Sequence, residues 1–398
     1  MARVKRIALV YGAPAGVGGL GVQVASAIQA LCAEPVELHA FGPGRAEVWP
    51  LPGAVPNVKW HLAPPGVASW KTRYTSLRWR HGQLVFENDR AIGRWAAAQI
   101  DRLKPDGCYA FTQVGLETLN WARHAGVPSV IESPNGHIRN FRRVNDYESR
   151  RLCGAPFRGH PTAAMVERVE EEYQLSSRMR VSSQWSKRSM LSNGVADKEI
   201  AVFEQPVNLL RYSPSHNPPV LRGPLRVCFV GSLNLRKGFV YLLRAVKMIG
   251  DRRLNLEIVG ATGDRCCRRL FEQESADIEI RCAPGDPIHA YHRAEVFVLP
   301  TLEDGSPFAA AEAMACGLPA IVTDCCGSAE WVRPGESGWI VPGGDAEALA
   351  AALEDAMNRR AGLRAIGRLA REDTEQRAGL HCLLPFRQWM FRQVLQCV

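Results

Sequence analysis

Nine short apolar runs recur along the 398 residues, each closed by turn residues and followed by a stretch whose apolar positions fall three and four apart. Four come early (RIALVY, PVELHAF, DGCYAF, PSVIES) and five late (LRVCFVG, LNLEIVG, DIEIRC, AEVFVLP, LPAIVTD). A continuously apolar run suits a strand buried on both faces, and helical spacing between runs suits crossover connections. Each series therefore predicts a parallel sheet covered by helices. The stretch SPSHNPPVLRGP, residues 213–224, carries four prolines and divides the two series as a linker would. The expected fold class is α/β, with two doubly wound Rossmann-like domains at 1–212 and 225–383. The tail 384–398 places Phe386, Trp389, Phe391 and Val394 at helical intervals and is expected to form a C-terminal helix that packs back on the first domain.

A composition of 46% apolar and 22% charged residues is that of a folded protein, not a disordered one. No run of about 18 uncharged apolar residues occurs, so neither a signal peptide nor a spanning helix is expected. The twelve cysteines show no CxxC pair and no metal-ligand spacing, and two adjacent pairs, Cys266-Cys267 and Cys325-Cys326, are badly placed to bridge each other. Reduced thiols and a cytoplasmic location are expected. Residues 1–210 hold 26 Lys and Arg against 18 Asp and Glu, whereas 211–398 hold 23 against 22. The first half thus carries almost all of the +9 net charge and favours an anionic partner, or is simply a well-solvated basic surface.

In open parallel sheets ligands sit outside the carboxyl ends of the strands, so the loops after strands are the places to look. In GAPAGVGGLG, Gly18 and Gly19 precede a helix and would let a phosphate approach backbone N–H groups, although a tight turn without a ligand needs glycines too. The loop GSLNLRKGF sets Arg236 beside Lys237 in a turn bounded by Gly231 and Gly238, where two cations could neutralise a diphosphate or merely face water. After PSVIES, Pro134, Asn135 and Gly136 present His137 at the crevice edge, as a ligand contact or as a structural histidine. The fourth loop is the richest. Glu303, Asp304, Gly305 and Ser306 form a turn after AEVFVLPT, PFAAAEAMA is expected to be a helix with Pro307 in its first turn and Phe308 next, and Glu312 follows on that helix. Unpaired N–H groups of the first helical turn suit an anionic oxygen, while the two carboxylates can accept from hydroxyls. A ligand rich in hydroxyls and phosphates fits these parts.

The ordered set Asp304-Gly-Ser-Pro-Phe-(x)3-Glu312-Ala-Met-Ala-Cys-Gly-Leu-Pro, GSLNLRKG, VTDCCGSAEWV and ESGWIVPGGDAEALAAAL resembles the family-4 (group 1) retaining glycosyltransferases of GT-B fold. The likeness covers the second domain well and the first loosely, through GGLG, the spacing of ERVEEEYQLSSRMRVSSQWSKRSML, and PVNLLRYSP. It implies two Rossmann-like domains facing a central cleft and a sugar transfer from a nucleoside-diphosphate donor to a hydroxyl acceptor. It also implies retained anomeric configuration, no DxD-held metal and no cofactor, in glycan, polysaccharide or glycolipid biosynthesis. By resemblance, Glu312 holds the donor ribose, residues 304–308 touch the sugar, Lys237 neutralises the departing diphosphate, Gly18 and Gly19 admit the pyrophosphate, and His137 touches the sugar from the other wall. Two positions depart from the family. Asp304 replaces the first Glu of E-x7-E, with Glu303 beside it as a substitute, and Ser232 replaces the arginine after Gly231, which leaves Arg236 to supply the second cation.

Other readings of the same motifs are a GT-B sugar-nucleotide epimerase and a non-catalytic paralogue that binds sugar nucleotides. Basic and aromatic residues alternate in 71–82 and 139–152, a pattern suited to an anionic lipid surface. No nucleic-acid recognition motif accompanies them. A lipid-linked or cell-envelope acceptor, met at the inner face of the membrane, is therefore expected alongside a soluble one.

Overall fold

The computed structural model describes residues 4–32, 36–47, 49–53, 55–68, 81–196, 200–217, 222–250, 253–261 and 263–393. It divides into two compact units. The first comprises Met1–Arg142, Arg158–Pro206 and Leu380–Val398, and the second Arg143–Phe157 and Val207–Gly379.

The first unit holds a seven-stranded sheet built from β1 (Lys5–Val10), β2 (Val36–Gly42), β3 (Val58–Leu62), β4 (Gly107–Phe111), β5 (Ser129–Ser133), β6 (Arg178–Val181) and β7 (Ile200–Val202). Their order is β3-β2-β1-β4-β5-β6-β7, parallel at every pairing. The second unit holds β8 (Leu225–Val230), β9 (Leu254–Val259), β10 (Ile280–Ala283), β11 (Val296–Leu299), β12 (Ala320–Thr323) and β13 (Gly338–Val341). These are again parallel, in the order β10-β9-β8-β11-β12-β13. Central strands such as GCYAF and VFVL are buried at every residue, as strands covered by helices on both faces must be. The strand order reverses between β1 and β4 in the first unit and between β8 and β11 in the second, and these are the places where loops part to leave a crevice.

The sequence alone shows four strands in the first domain, yet seven form. The strands β3 and β6 escaped because VKWHL and RMRV carry polar residues at positions the sheet uses, and β7 because it is three residues long. The division between units falls at Pro206–Val207 and not in the proline-rich stretch, of which residues 218–221 lie outside the described part. Val207 is already buried in the second core and donates its N–H to Ala378 O at 2.8 Å. Residues 143–157 likewise belong to the second unit, through the hydrogen bond from Tyr241 to Glu148 at 2.8 Å and a disulfide between Cys153 and Cys266. That bridge corrects the expectation of uniformly reduced thiols. The two cysteines are 113 residues apart, and only the fold brings their Cα atoms to 6.2 Å.

The helix Leu383–Gln393 packs on the first unit, where Phe386, Trp389 and Met390 join the core and Arg387 donates to Ala30 O at 2.7 Å. Among the described residues no helix is long and apolar enough to cross a membrane. The basic stretch 71–82 lies almost wholly outside the described residues. On the helix Ile138–Cys153 most of the arginines are engaged rather than presented as an open stripe: Arg139 with Glu170, Arg142 with Pro161 O, Arg150 with Asp146 and Arg151 with Glu148.

Candidate functional site

Two loops flank the switch point of the second sheet, and the structure ties them together. After β8 the chain passes Gly231 and Ser232 and makes a single 3-10 turn, Leu235–Lys237, whose entry is capped by Asn234: its Oδ1 accepts from Lys237 N–H at 3.0 Å. Gly238 closes the turn at φ +68, and a Cβ there would collide with the Pro300 carbonyl at the end of β11. That close approach is what lets the loops meet. Leu302 N–H donates to Arg236 O at 2.8 Å, the Thr301 hydroxyl donates to the same carbonyl at 3.1 Å, and Gly327 N–H from the loop after β12 donates to Asp304 O at 3.1 Å.

Four charges converge there. The Lys237 ammonium pairs with Asp304 Oδ2, and the Arg236 guanidinium reaches the same oxygen at 3.1 Å. Arg236 also donates to the Glu303 carbonyl and lies 3.4 Å from Glu303 Oε2. Burial alone would raise the Asp304 pKa, but Lys237 and then Arg236 outweigh it and hold the carboxyl below its usual range. Arg236 is therefore spent on holding Glu303 and Asp304, whereas Lys237 has one ion pair on a flexible stem. Of the two cations, Lys237 is the one able to turn to a ligand.

The turn Gly305–Ser306 leads to Pro307, which is the N-cap and not a residue of the first helical turn as expected; the helix is Phe308–Ala315. Pro307 offers it no side-chain cap and Ala310 N–H donates to Pro307 O at 3.3 Å, so the N–H groups that can face an anionic oxygen are the two before Ala310. Glu312 lies on this helix, and its carboxylate accepts from Tyr291 at 3.1 Å. Burial pushes its pKa up, and the Tyr291 hydrogen bond is the first of the effects that oppose the rise. Asn234, Thr301 and Tyr291 were not among the candidate site residues of the sequence. Asn234, a polar residue three before Lys237, was the one available hint. A separate concavity of about 330 Å³, lined by Pro319, Arg364 and Arg368 among others, lies at the amino ends of β11 and β12, away from these loops.

In the first unit Gly18 and Gly19 open the helix Gly18–Leu31, exposed and preceded by Val17, which gives no side-chain cap. His137 is 2% exposed, its Nδ1 accepting from Arg139 N–H at 3.2 Å and its ring 5.1 Å from that of Tyr173. Burial, then the Arg139 charge, depress its pKa to about 4, so the ring is neutral near pH 7.

The decisive comparison concerns the second unit. The family model described as glycosyl transferases group 1 matches residues 224–359. The charged groups described above, from Arg236 to Glu312, all fall inside that match. A Salmonella typhimurium protein named as a colanic acid biosynthesis glycosyltransferase, WcaL, is 32% identical over 189 residues, 44% of this chain and 46% of its own length. The match thus spans about half the length of that curated relative. Among solved structures, sucrose-phosphate synthase from Thermosynechococcus elongatus superposes with a TM-score of 0.76 at 18% identity over 98% of this chain and 99% of its own. Anabaena HepE, solved in complex with UDP-glucose, gives 0.67 at 15% identity over 96% and 98%. The chain has the GT-B fold, and its match to the glycosyl transferases group 1 model lies within the second unit.

Proposed function

We propose that the chain is a retaining, metal-independent glycosyltransferase that moves a sugar from a nucleoside diphosphate to a hydroxyl acceptor in polysaccharide or glycolipid synthesis. The observation that carries this reading is the meeting of Lys237, Arg236, Glu303 and Asp304 at the β8/β11 switch point, beside an uncapped helix start and one helical turn from Glu312. In the reaction the bond from the anomeric carbon to the diphosphate oxygen breaks and the bond to the acceptor oxygen forms on the same face. The acceptor proton passes to the departing phosphate oxygen. Lys237 swings from Asp304 to meet the charge growing on that phosphate, and Arg236 stays behind to balance Asp304. Such preorganised charge acts on the transition state more than on the ground state.

Glu303 and Asp304 would accept from sugar hydroxyls and Glu312 from the ribose. A WcaL-like role agrees with an acceptor hydroxyl on a growing saccharide, free or lipid-linked. The test is a melting-temperature screen with UDP-, GDP- and ADP-sugars, followed by nuclear magnetic resonance of the product made from the stabilising donor in the presence of EDTA. A donor at 100 times its Kd should add roughly 2.7 kcal/mol of stability, and the product should keep the donor's anomeric configuration. Stabilisation by no nucleotide sugar would defeat the proposal. Interconversion of one sugar nucleotide into another without any acceptor would favour an epimerase.

A further inference from the structure

The concavity at the amino ends of β11 and β12 lies wholly within the second unit and takes no part in the loops above. It forms because the helix Leu363–Ala378 lies hard against the turn that precedes β12. A Cβ at Gly367 would collide with the Gly317 carbonyl, and Gly317 itself turns at φ +78 just after the helix Phe308–Ala315. The buried side chains of Cys316, Leu318 and Leu363 give the concavity an apolar floor, and at about 330 Å³ it falls at the small end of the roughly 300–1,000 Å³ that pockets for small molecules span.

Its rim is cationic. Arg364, Arg368 and Arg371 fall four and three residues apart, on one face of that helix. Arg371 is fixed in place, donating to the carbonyls of Tyr212 and Ala315 at 2.6 Å each and to Glu375 at 2.5 Å. Arg364 and Arg368 are exposed one helical turn apart, and Arg368 has no hydrogen bond or ion pair among the described residues. Like charges so placed work against a helix, whereas an anion between them converts the repulsion into attraction. Among the described residues the one carboxylate of the lining is Glu295, and it is already engaged: it accepts from the Arg226 amide at 3.1 Å and from Arg360 at 2.7 and 2.8 Å. The concavity therefore offers positive charge at its lip and apolar surface at its base. Guanidinium forks suit phosphoryl oxygens, and the floor suits a ring.

We propose that this concavity is a second ligand site, for a phosphate monoester whose apolar ring lies on Leu318 and Leu363 while Arg364 and Arg368 share its phosphoryl group. The inference does not rest on the sugar-transfer reading, because the concavity sits at the opposite ends of the strands from Lys237 and Asp304.

The test is calorimetry with phenyl phosphate, inorganic phosphate and benzoate. The proteins are the wild type, Arg364→Gln, Arg368→Gln, the double variant and Lys237→Ala, each with a melting curve. Glutamine is a good helix former and both positions are exposed, so the fold should survive the changes. Phenyl phosphate should bind the wild type about tenfold or more tighter than either of the others, since phosphate lacks the ring and benzoate lacks the second charge. The double variant should lose about tenfold or more of the phenyl phosphate affinity, as expected when charge-assisted donors are removed, and each single variant about threefold. The single variants decide the matter if the double variant does not fold. Lys237→Ala should leave that affinity unchanged. If Lys237→Ala abolishes phenyl phosphate binding while the arginine variants keep it, the ligand sits in the loops at the other end of the sheet and the proposal fails. It fails equally if phosphate binds as well as phenyl phosphate, which would mean a surface anion with no pocket for the ring, or if the wild type binds none of the three.

Discussion

Each unit places arginine against carboxylate near the carboxyl ends of its strands, and the two clusters differ in what they leave open. In the first unit Glu132 accepts from Arg180 at 2.8 Å, from Gln23 at 2.6 Å, from Gln205 at 3.2 Å and from Tyr109, and both Glu132 and Arg180 are fully buried. The guanidinium lies 4.1 Å from the ring centre of Phe386, on the helix that closes over it. In the second unit Arg236 and Lys237 face Glu303 and Asp304 from loops, with some solvent access to both cations. A sealed pair has no acceptor to spare and no path for exchange, so it can specify packing but cannot serve a ligand. A loop-borne cluster whose lysine keeps some solvent access has the path to a ligand that the sealed pair lacks. The lesson is that access, not charge, separates a structural ion pair from a site.

The comparison breaks most sharply at Glu132. Glu132→Ala leaves Arg180 buried without its counter-charge and should cost about 3–5 kcal/mol in a denaturant melt, while the folded fraction retains its turnover. Pairing Glu132→Leu with Arg180→Met should recover most of that loss. A cost near zero for the single change would show that the first cluster is not sealed. Lys237→Ala should do the reverse, lowering turnover by roughly 10²-fold or more with the melting midpoint nearly unmoved. Unchanged turnover in a folded variant would return Lys237 to a solvated turn.

The third expectation uses pH to separate the units. His137 is held neutral by burial, with a pKa of about 4, so the stability it contributes is present above its unfolded value of about 6.5 and is lost as pH falls from there toward 4. On the order of 2 kcal/mol should disappear between pH 7 and pH 5, and His137→Leu should flatten that slope. Asp304 has a depressed pKa, so its contribution is present above its unfolded value of about 3.9 and fades only below it. Mild acid should thus weaken the first unit and spare the second cluster; equal sensitivity of both in unit-resolved hydrogen exchange would contradict this. Smallest is Thr301→Val, which removes one hydrogen bond between the site loops. It should cost about 1 kcal/mol and a few-fold in turnover, and no change in either would mean that the Leu302 N–H bond and the ion pairs suffice to register the loops.

Much of this was readable from the chain. VFVL and GCYAF announce themselves because strands covered on both faces can use apolar residues throughout, and loops after such strands are where ligands go. Arg236, Lys237, Glu303, Asp304 and Glu312 were legible as loop and helix-start residues for that reason. RMRV was not legible as a strand, because Arg180 occupies a core position that only Glu132, 48 residues earlier, makes tolerable.

What the sequence by itself determined is the local grammar: alternating strands and helices, two series of them, and which loops carry charge. Only the tertiary structure decided the pairings. Lys237 and Asp304 are 67 residues apart, Arg211 reaches Asp286 over 75, and Cys153 finds Cys266 over 113 residues. The physical reason is that propensity and periodicity act over a few residues, while strand order in a doubly wound sheet is set by crossover connections. That order chooses which loops become neighbours, and therefore which charges share a site.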